Sequence, residues 1–209
     1  MKNQTVDLKH ISMALSMLKK PDFYSIQYEQ YITSPDIAAR MVYEAFLDGF
    51  ISEKSVGDLG CGNGILSVAA ALLGAKSVSA YEIDDEMVRV AAENTGTYHV
   101  QLHQTDISEI SGHFDTVIMN PPWGAYKTHA DLPFIEKAGQ VADHIYSIHN
   151  STTEEFLDKI YGKIGFVRKK ILVSIDVPRI YSHHTKKSVA VSGIIYCVDV
   201  KDGNRLTNF

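Results

Sequence analysis

The run Asp58-Leu-Gly-Cys-Gly-Asn-Gly64 limits more than any other feature how this chain can fold. A short strand-like stretch, Ser55–Leu59, leads into it, and an apolar stretch, Ile65–Leu73, follows and stops at Gly74. A strand, a tight glycine turn and a helix with a glycine C-terminus account for that order. Glycines at the turn let the backbone come close to a ligand. The alternation then continues. Strands are predicted at Ser77–Ile83, Val100–Gln104, Phe114–Met119 and His144–His149. Helices are predicted over Asp85–Asn94 and Leu132–Ala142, and from a capping box at Ser151-Thr-Thr-Glu154 to Tyr161. Two β-rich segments, Ile171–Val177 and Val189–Val200, end the chain with no helix between them. The pattern predicts an α/β fold: a mainly parallel seven-stranded sheet covered on both faces, with a C-terminal antiparallel hairpin at one edge.

Residues 1–50 read as an N-terminal helical extension of a single domain spanning 1–209. Val6, Leu8, Ile11, Leu15 and Leu18 have helical spacing as far as Pro21, and Ser34-Pro35 opens a second helix that runs to about Leu47. With 45% hydrophobic and 22% charged residues, the composition is that of a soluble globular chain. No apolar run nears the ~18 residues needed to span a bilayer. Met1–His10 lacks the apolar core of a signal peptide, so a cytoplasmic protein is expected. Cys61 and Cys197 form no CxxC pair, and His103, His113, His129, His144 and His149 show no metal-ligand spacing, so no metal is expected. The net charge is -5, but it is unevenly spread: residues 161–209 hold nine of the 20 Lys and Arg and three of the 25 Asp and Glu. A basic face on an acidic body, or scattered solvated lysines, would each give that asymmetry.

In open α/β sheets ligands bind at the carboxyl ends of the strands. The GxGxG spacing differs from the GxGxxG that seats a pyrophosphate, and Asp58, just before it, would repel one. The same carboxylate suits the ammonium and sulfonium charges of S-adenosylmethionine, directly or through water. Glu82, ending the second strand, can accept two ribose hydroxyls. Beside it Ile83 offers an apolar face for adenine, and Asp106, after the third strand, can take the adenine amino group. Asn120-Pro121-Pro122-Trp123 follows the fourth strand. A conjugated NH2 is a poor nucleophile. The Asn120 side-chain oxygen and the Pro121 carbonyl can hold its two hydrogens and favour a pyramidal nitrogen, and proline brings a carbonyl without a competing donor. Trp123 supplies a flat face for a splayed base. His183, His184, Lys186 and Lys187 make a basic cluster between the last two strands, either a phosphate contact or an exposed turn.

DLGCGNG, YEID and NPPW in this order resemble the Rossmann-like class I amino-methyltransferases. Tyr28-Glu-Gln-Tyr-Ile-Thr33, Pro35-Asp-Ile-Ala-Ala-Arg40, Tyr146-Ser-Ile-His149 and the run His184–Val189 narrow the likeness. They are similar to the methyltransferase-like protein five family of archaea and eukaryotes. The resemblance covers nearly the whole chain. It implies N6-methylation of adenine in small-subunit ribosomal RNA, with S-adenosylmethionine held by Gln30, Thr33, Gly60, Asn63, Glu82, Asp106 and Ile107; Cys61 and Gly62 complete the loop. Asn120 through Trp123 would hold the adenine, and His184, Lys186 and Lys187 would meet RNA. It also implies a small zinc-binding activator protein, for which the edge strand Val100–Gln104 is the expected docking site. Trp123 stands where Phe is usual in the family, and Glu82 where Asp is usual. Two other functions compete: methylation of a release-factor glutamine, whose enzymes carry a larger N-terminal domain, and a non-catalytic cofactor-binding subunit.

Overall fold

In the computed structural model of the chain, residues 7–21, 33–123, 129–178 and 188–202 are described, with 176–178 and 188–189 described by their backbone alone. Seven strands form one sheet: β1 (Ser55–Leu59), β2 (Ser77–Glu82), β3 (Val100–Gln104), β4 (Phe114–Met119), β5 (Ala142–Asn150), β6 (Gly165–Pro178) and β7 (Ser188–Val200). Their order is β3-β2-β1-β4-β5-β7-β6. The first five run parallel, and β7 lies antiparallel between β5 and β6. The expected parallel sheet with an antiparallel C-terminal hairpin is what forms.

Among the described residues six helices flank it: α1 (Leu8–Ser16), α2 (Pro35–Leu47), α3 (Ile65–Leu72), α4 (Asp85–Thr95), α5 (Leu132–Val141) and α6 (Glu154–Ile164). α1, α2 and α3 share one core cluster with β1, built on Ile11, Leu15, Met41, Val42 and Val68. A second cluster holds α5 and α6 against the sheet through Ile135, Ala138, Leu157 and Tyr161. Helices on both faces leave only the strand ends open for a site.

The element ends show where local signals were overruled. α1 starts at Leu8, because Asp7 accepts a hydrogen bond from the Lys9 N–H, and it ends at Ser16, short of Pro21. Lys19 instead commits its N–H and its carbonyl to the Asn94 carboxamide, at 2.8 and 3.0 Å. Ser34 caps α2 as expected, accepting from the Ile37 N–H. The predicted capping box at 151–154 does not form. Asn150 accepts from the Thr152 N–H, Ser151–Thr153 make a single 3-10 turn, and α6 continues past Tyr161 to Ile164.

β6 begins at Gly165, six residues before the predicted Ile171, because Arg168-Lys169-Lys170 hides the strand pattern. Arg168 contacts Asp48 and Asp199 at 3.0 and 3.2 Å. Lys169 reaches Glu44 at 2.8 Å, and Lys170 reaches Glu154 at 2.5 Å. The basic tail seen in the sequence is therefore matched here by acids from α2 and its C-cap, α6 and β7, and at these residues the asymmetry is tertiary pairing and not a basic face.

Two glycines separate contact from propensity. A Cβ on Gly165 would lie 2.1 Å from the Asp199 carbonyl oxygen, whereas one on Gly162, inside α6, meets nothing within 4 Å. Gly165→Ala is expected to cost at least the ~1–3 kcal/mol of an overpacked site. Gly162→Ala is expected to add up to ~1 kcal/mol by removing a helical glycine. Urea unfolding of both variants checks the pair; a stable Gly165→Ala protein would contradict this β6–β7 register.

Candidate active site

A cavity of about 500 Å³ opens at the carboxyl ends of β1, β2 and β4. The size is that of a small-molecule site. Its floor is the glycine loop. Gly60, Gly62 and Gly64 have φ of 71, 55 and 82°, left-handed values that glycine takes without strain. The Gly60 and Cys61 N–H groups both donate to the Tyr81 carbonyl at 2.9 Å, which hangs the loop on β2.

Glu82, 8% exposed, faces the same cavity. One oxygen accepts from the Gly62 N–H at 2.8 Å; the other accepts from the Ile83 and Asp84 N–H groups at 2.9 and 3.0 Å. A carboxylate accepts at about four positions, so capacity remains for a ligand. Ile83 and Ile107 line the flanks, and Asp106 stands at the rim. Asp106 takes the Ser108 hydroxyl and N–H, and these bonds hold its carboxyl below the usual range. Asn63 lines the cavity too, but its amide N–H donates to the Lys19 carbonyl at 3.0 Å.

Asp58 lies fully buried at the end of β1 and does not line the cavity. One oxygen takes the Ser67 hydroxyl at 2.5 Å, and the other, Oδ1, has no hydrogen-bond partner among the described residues. Burial pushes its pKa up to about 7; the Ser67 bonds oppose the rise and the Glu82 charge adds to it.

Asn120 closes the far side. Its Nδ2 donates to Thr33 Oγ1 at 2.9 Å, and its buried Oδ1 has no partner among the described residues. Pro121, Pro122 and Thr33 line the cavity with it. Trp123 does not, which corrects the expected stacking face. Its indole packs against the core beside β5 and donates to the Ile148 carbonyl at 3.2 Å. The aromatic lining comes from Phe134, Tyr81 and His129. Phe134 presses on the loop so closely that a Cβ on Gly60 would sit 2.9 Å from its ring. The wall from His129 to Phe134 was missed in the sequence, where Asp-Leu-Pro-Phe signals only a helix start. Gln30, His183, His184, Lys186 and Lys187 lie outside the described residues. Both cysteines are free and buried, and the described residues hold no group of three or more potential metal ligands.

The raised pKa of Asp58 sets a pH signature. A carboxyl whose folded pKa exceeds its unfolded value contributes stability at low pH that is lost as pH rises through the folded pKa. Between pH 5 and 8 the ligand-free protein is expected to lose stability relative to Asp58→Asn, most steeply at the acid end of that range and levelling off above about pH 7. Parallel urea-unfolding stabilities across that range would show that Asp58 is ionised throughout.

Comparison with known proteins places this geometry. The family described as ribosomal protein L11 methyltransferase (PrmA) matches residues 41–121, the stretch from α2 through the glycine loop to Pro121. The zebrafish (Danio rerio) rRNA N(6)-adenosine-methyltransferase METTL5 is 33% identical over 88% of this chain and 94% of its own. The Drosophila melanogaster counterpart is 35% identical over 78% of this chain and 82% of its own. A solved protein of Pyrococcus horikoshii superposes with a TM-score of 0.87 at 35% identity, covering 96% of this chain and 100% of that one. Glycine loop, Glu82 and the Asn120-Pro-Pro turn thus lie in a chain matched nearly end to end, and this chain belongs to the METTL5 family of rRNA N(6)-adenosine-methyltransferases.

Proposed function

We propose that the chain transfers a methyl group from S-adenosylmethionine to the N6 amine of an adenosine in ribosomal RNA. One observation carries the reading: Asn120 holds a buried side-chain oxygen, without a partner among the described residues, beside the cavity that the glycine loop and Glu82 line. The names of the zebrafish and fly relatives support the substrate class.

The residues fit the cofactor. Asp58 Oδ1, a buried acceptor without a partner among the described residues, suits an ammonium group reached through water. Glu82 retains acceptor capacity for ribose hydroxyls. Ile83 and Ile107 offer apolar sides for adenine, and Asp106 at the rim accepts its amino group. When bound, S-adenosylmethionine supplies an electrophilic methyl carbon on a positively charged sulfur.

The chain's own work is to hold the acceptor. Asn120 Oδ1 and the Pro121 carbonyl accept the two N6 hydrogens and leave the lone pair free for attack. The N–C bond forms as the C–S bond breaks, and one proton leaves N6 to solvent. Thr33 anchors the other end of the Asn120 amide and fixes its orientation. Orientation of this kind supplies much of the rate in a two-substrate reaction. His184, Lys186 and Lys187 are the proposed phosphate contacts.

β3 is the proposed docking edge for a small zinc-binding activator. It pairs with β2 on one side and ends the sheet on the other, with Gln101, His103 and Gln104 exposed. A strand from another chain satisfies such an edge.

Asn120→Ala is expected to lower methylation of ribosomal RNA by a factor of ~100 or more, the scale of losing a transition-state-orienting acceptor. Its affinity for S-adenosylmethionine should stay within about twofold. Tritiated cofactor with total RNA and isothermal calorimetry read the two effects; label in protein instead of RNA would overturn the substrate assignment. For the partner, amide exchange at residues 100–104 should slow when the activator is added. Full activity of the isolated chain with unchanged exchange would refute that docking.

A further inference from the structure

The Tyr146-Ser-Ile-His149 strand contributes no atom to the cavity, yet it carries a dense set of buried polar contacts. His149, 1% exposed, lies near the end of β5 with its Nε2 hydrogen-bonded and its Nδ1 beside a carboxylate. Nε2 lies 2.9 Å from the Tyr161 hydroxyl and 2.9 Å from Ser147 Oγ, and those two oxygens are 2.5 Å apart. Nδ1 faces Asp131 Oδ2 at 3.2 Å, out of line for a straight hydrogen bond. Burial holds the imidazole below the ordinary histidine range, against the pull of Asp131, so the ring is neutral near pH 7.

Asp131 is the telling partner. It occupies the N-cap position of α5 but makes no side-chain cap, and its backbone is right-handed helical, not extended. An aspartate that caps stabilises a helix by satisfying one of its first N–H groups. Here the carboxylate is turned toward His149 instead. On either side of it stand residues of the cavity wall: His129 and Ala130 before, Pro133 and Phe134 after. His129 has φ of 61°, a strained value for a non-glycine residue, and its ring stacks on Phe156 of α6 at 4.2 Å. A strained turn persists only where its surroundings over-determine it.

We propose that His149, acting through Asp131, is a positioning residue that sets the cavity wall at 129–134, and so the space left for cofactor and acceptor adenosine. The inference rests on the proposed methyl transfer for its kinetic consequence, though not for its structural one. Ser147 and Tyr161 hold the imidazole so that Nδ1 faces Asp131. The tie fixes the first turn of α5, which presses Phe134 onto the glycine loop. The strand motif thereby acts on a site it does not touch.

Asp131→Ala and His149→Phe remove the tie. His149→Asn keeps an N–H where Nδ1 lies. Hydrogen exchange is read by amide, and kcat is measured at saturating cofactor and RNA. Both tie-breaking variants should speed exchange at 132–135 by ~tenfold or more, with residues 145–148 unchanged. They should also lower kcat by ~10–100-fold, the effect of a small misplacement at a reacting centre. His149→Asn should recover most of both losses. Nitrogen chemical shifts of His149 should show the neutral Nδ1–H tautomer in the wild type and its loss in Asp131→Ala. Equal loss in His149→Asn and His149→Phe, or exchange raised evenly through β5, would overturn the proposal. If His149→Phe does not fold, Asp131→Ala decides alone. A wild type that fails to methylate RNA would sink the proposed function, while the exchange and tautomer results still judge the tie.

Discussion

The Glu82 carboxylate is the contact on which the rest of the site depends. Three backbone N–H groups, from Gly62, Ile83 and Asp84, converge on it at the end of β2. It thereby ties the glycine loop to the start of α4, across the gap between two neighbouring strands. Bonds to an ionised acceptor are roughly twice as strong as neutral ones, and the carboxylate is nearly closed off from water. A loop with three left-handed glycines has much freedom to lose, and this anchor, with the two N–H bonds to Tyr81, holds it in one shape. The residue proposed to meet the ribose also builds the floor on which the cofactor would lie.

Charge is used differently on the far edge of the sheet. Arg168 sits at an irregularity of the β6–β7 ladder between Val167 and Lys169. It lies over the Phe50 ring and donates to the Tyr146 hydroxyl at 2.6 Å. With Asp48 and Asp199 it fastens β6 to the end of α2 and to β7. Lys169 and Lys170 add ties to Glu44 and to Glu154 and Asp158. Partly exposed pairs of this kind are individually weak, but a network around one guanidinium specifies register. The hairpin's cations in this stretch hold the fold, and Lys186 and Lys187 lie beyond it.

Among the described residues the cavity is thus assembled from three sources. The glycine loop and Glu82 come from β1 and β2, Asn120 comes from β4 with Thr33 behind it, and the wall from His129 to Phe134 comes from the entry to α5. The first two sources lie at the ends of parallel strands, where successive crossovers bring loops together. The third is set by helix packing and by polar contacts to β5 and α6.

Strand and helix order, the glycine turn, the Ser34 cap and the closing hairpin were all decided by contiguous residues, whose periodicity and turn chemistry act over a few positions and can be read without neighbours. The place of the Asn120 turn at the cavity was legible for the same reason: an asparagine and two prolines after a strand leave few backbone arrangements. What only the tertiary structure decided involves residues far apart in the chain. Trp123 turned to the core because the Ile148 carbonyl was there to accept its N–H. Arg168-Lys169-Lys170 joined a strand because acids from α2, α6 and β7 neutralised a run that reads as a break in the pattern. Asp131 gave up its helix cap because His149 stood beside it. In each case a side chain had several local options of similar energy, and a partner elsewhere in the sequence selected one.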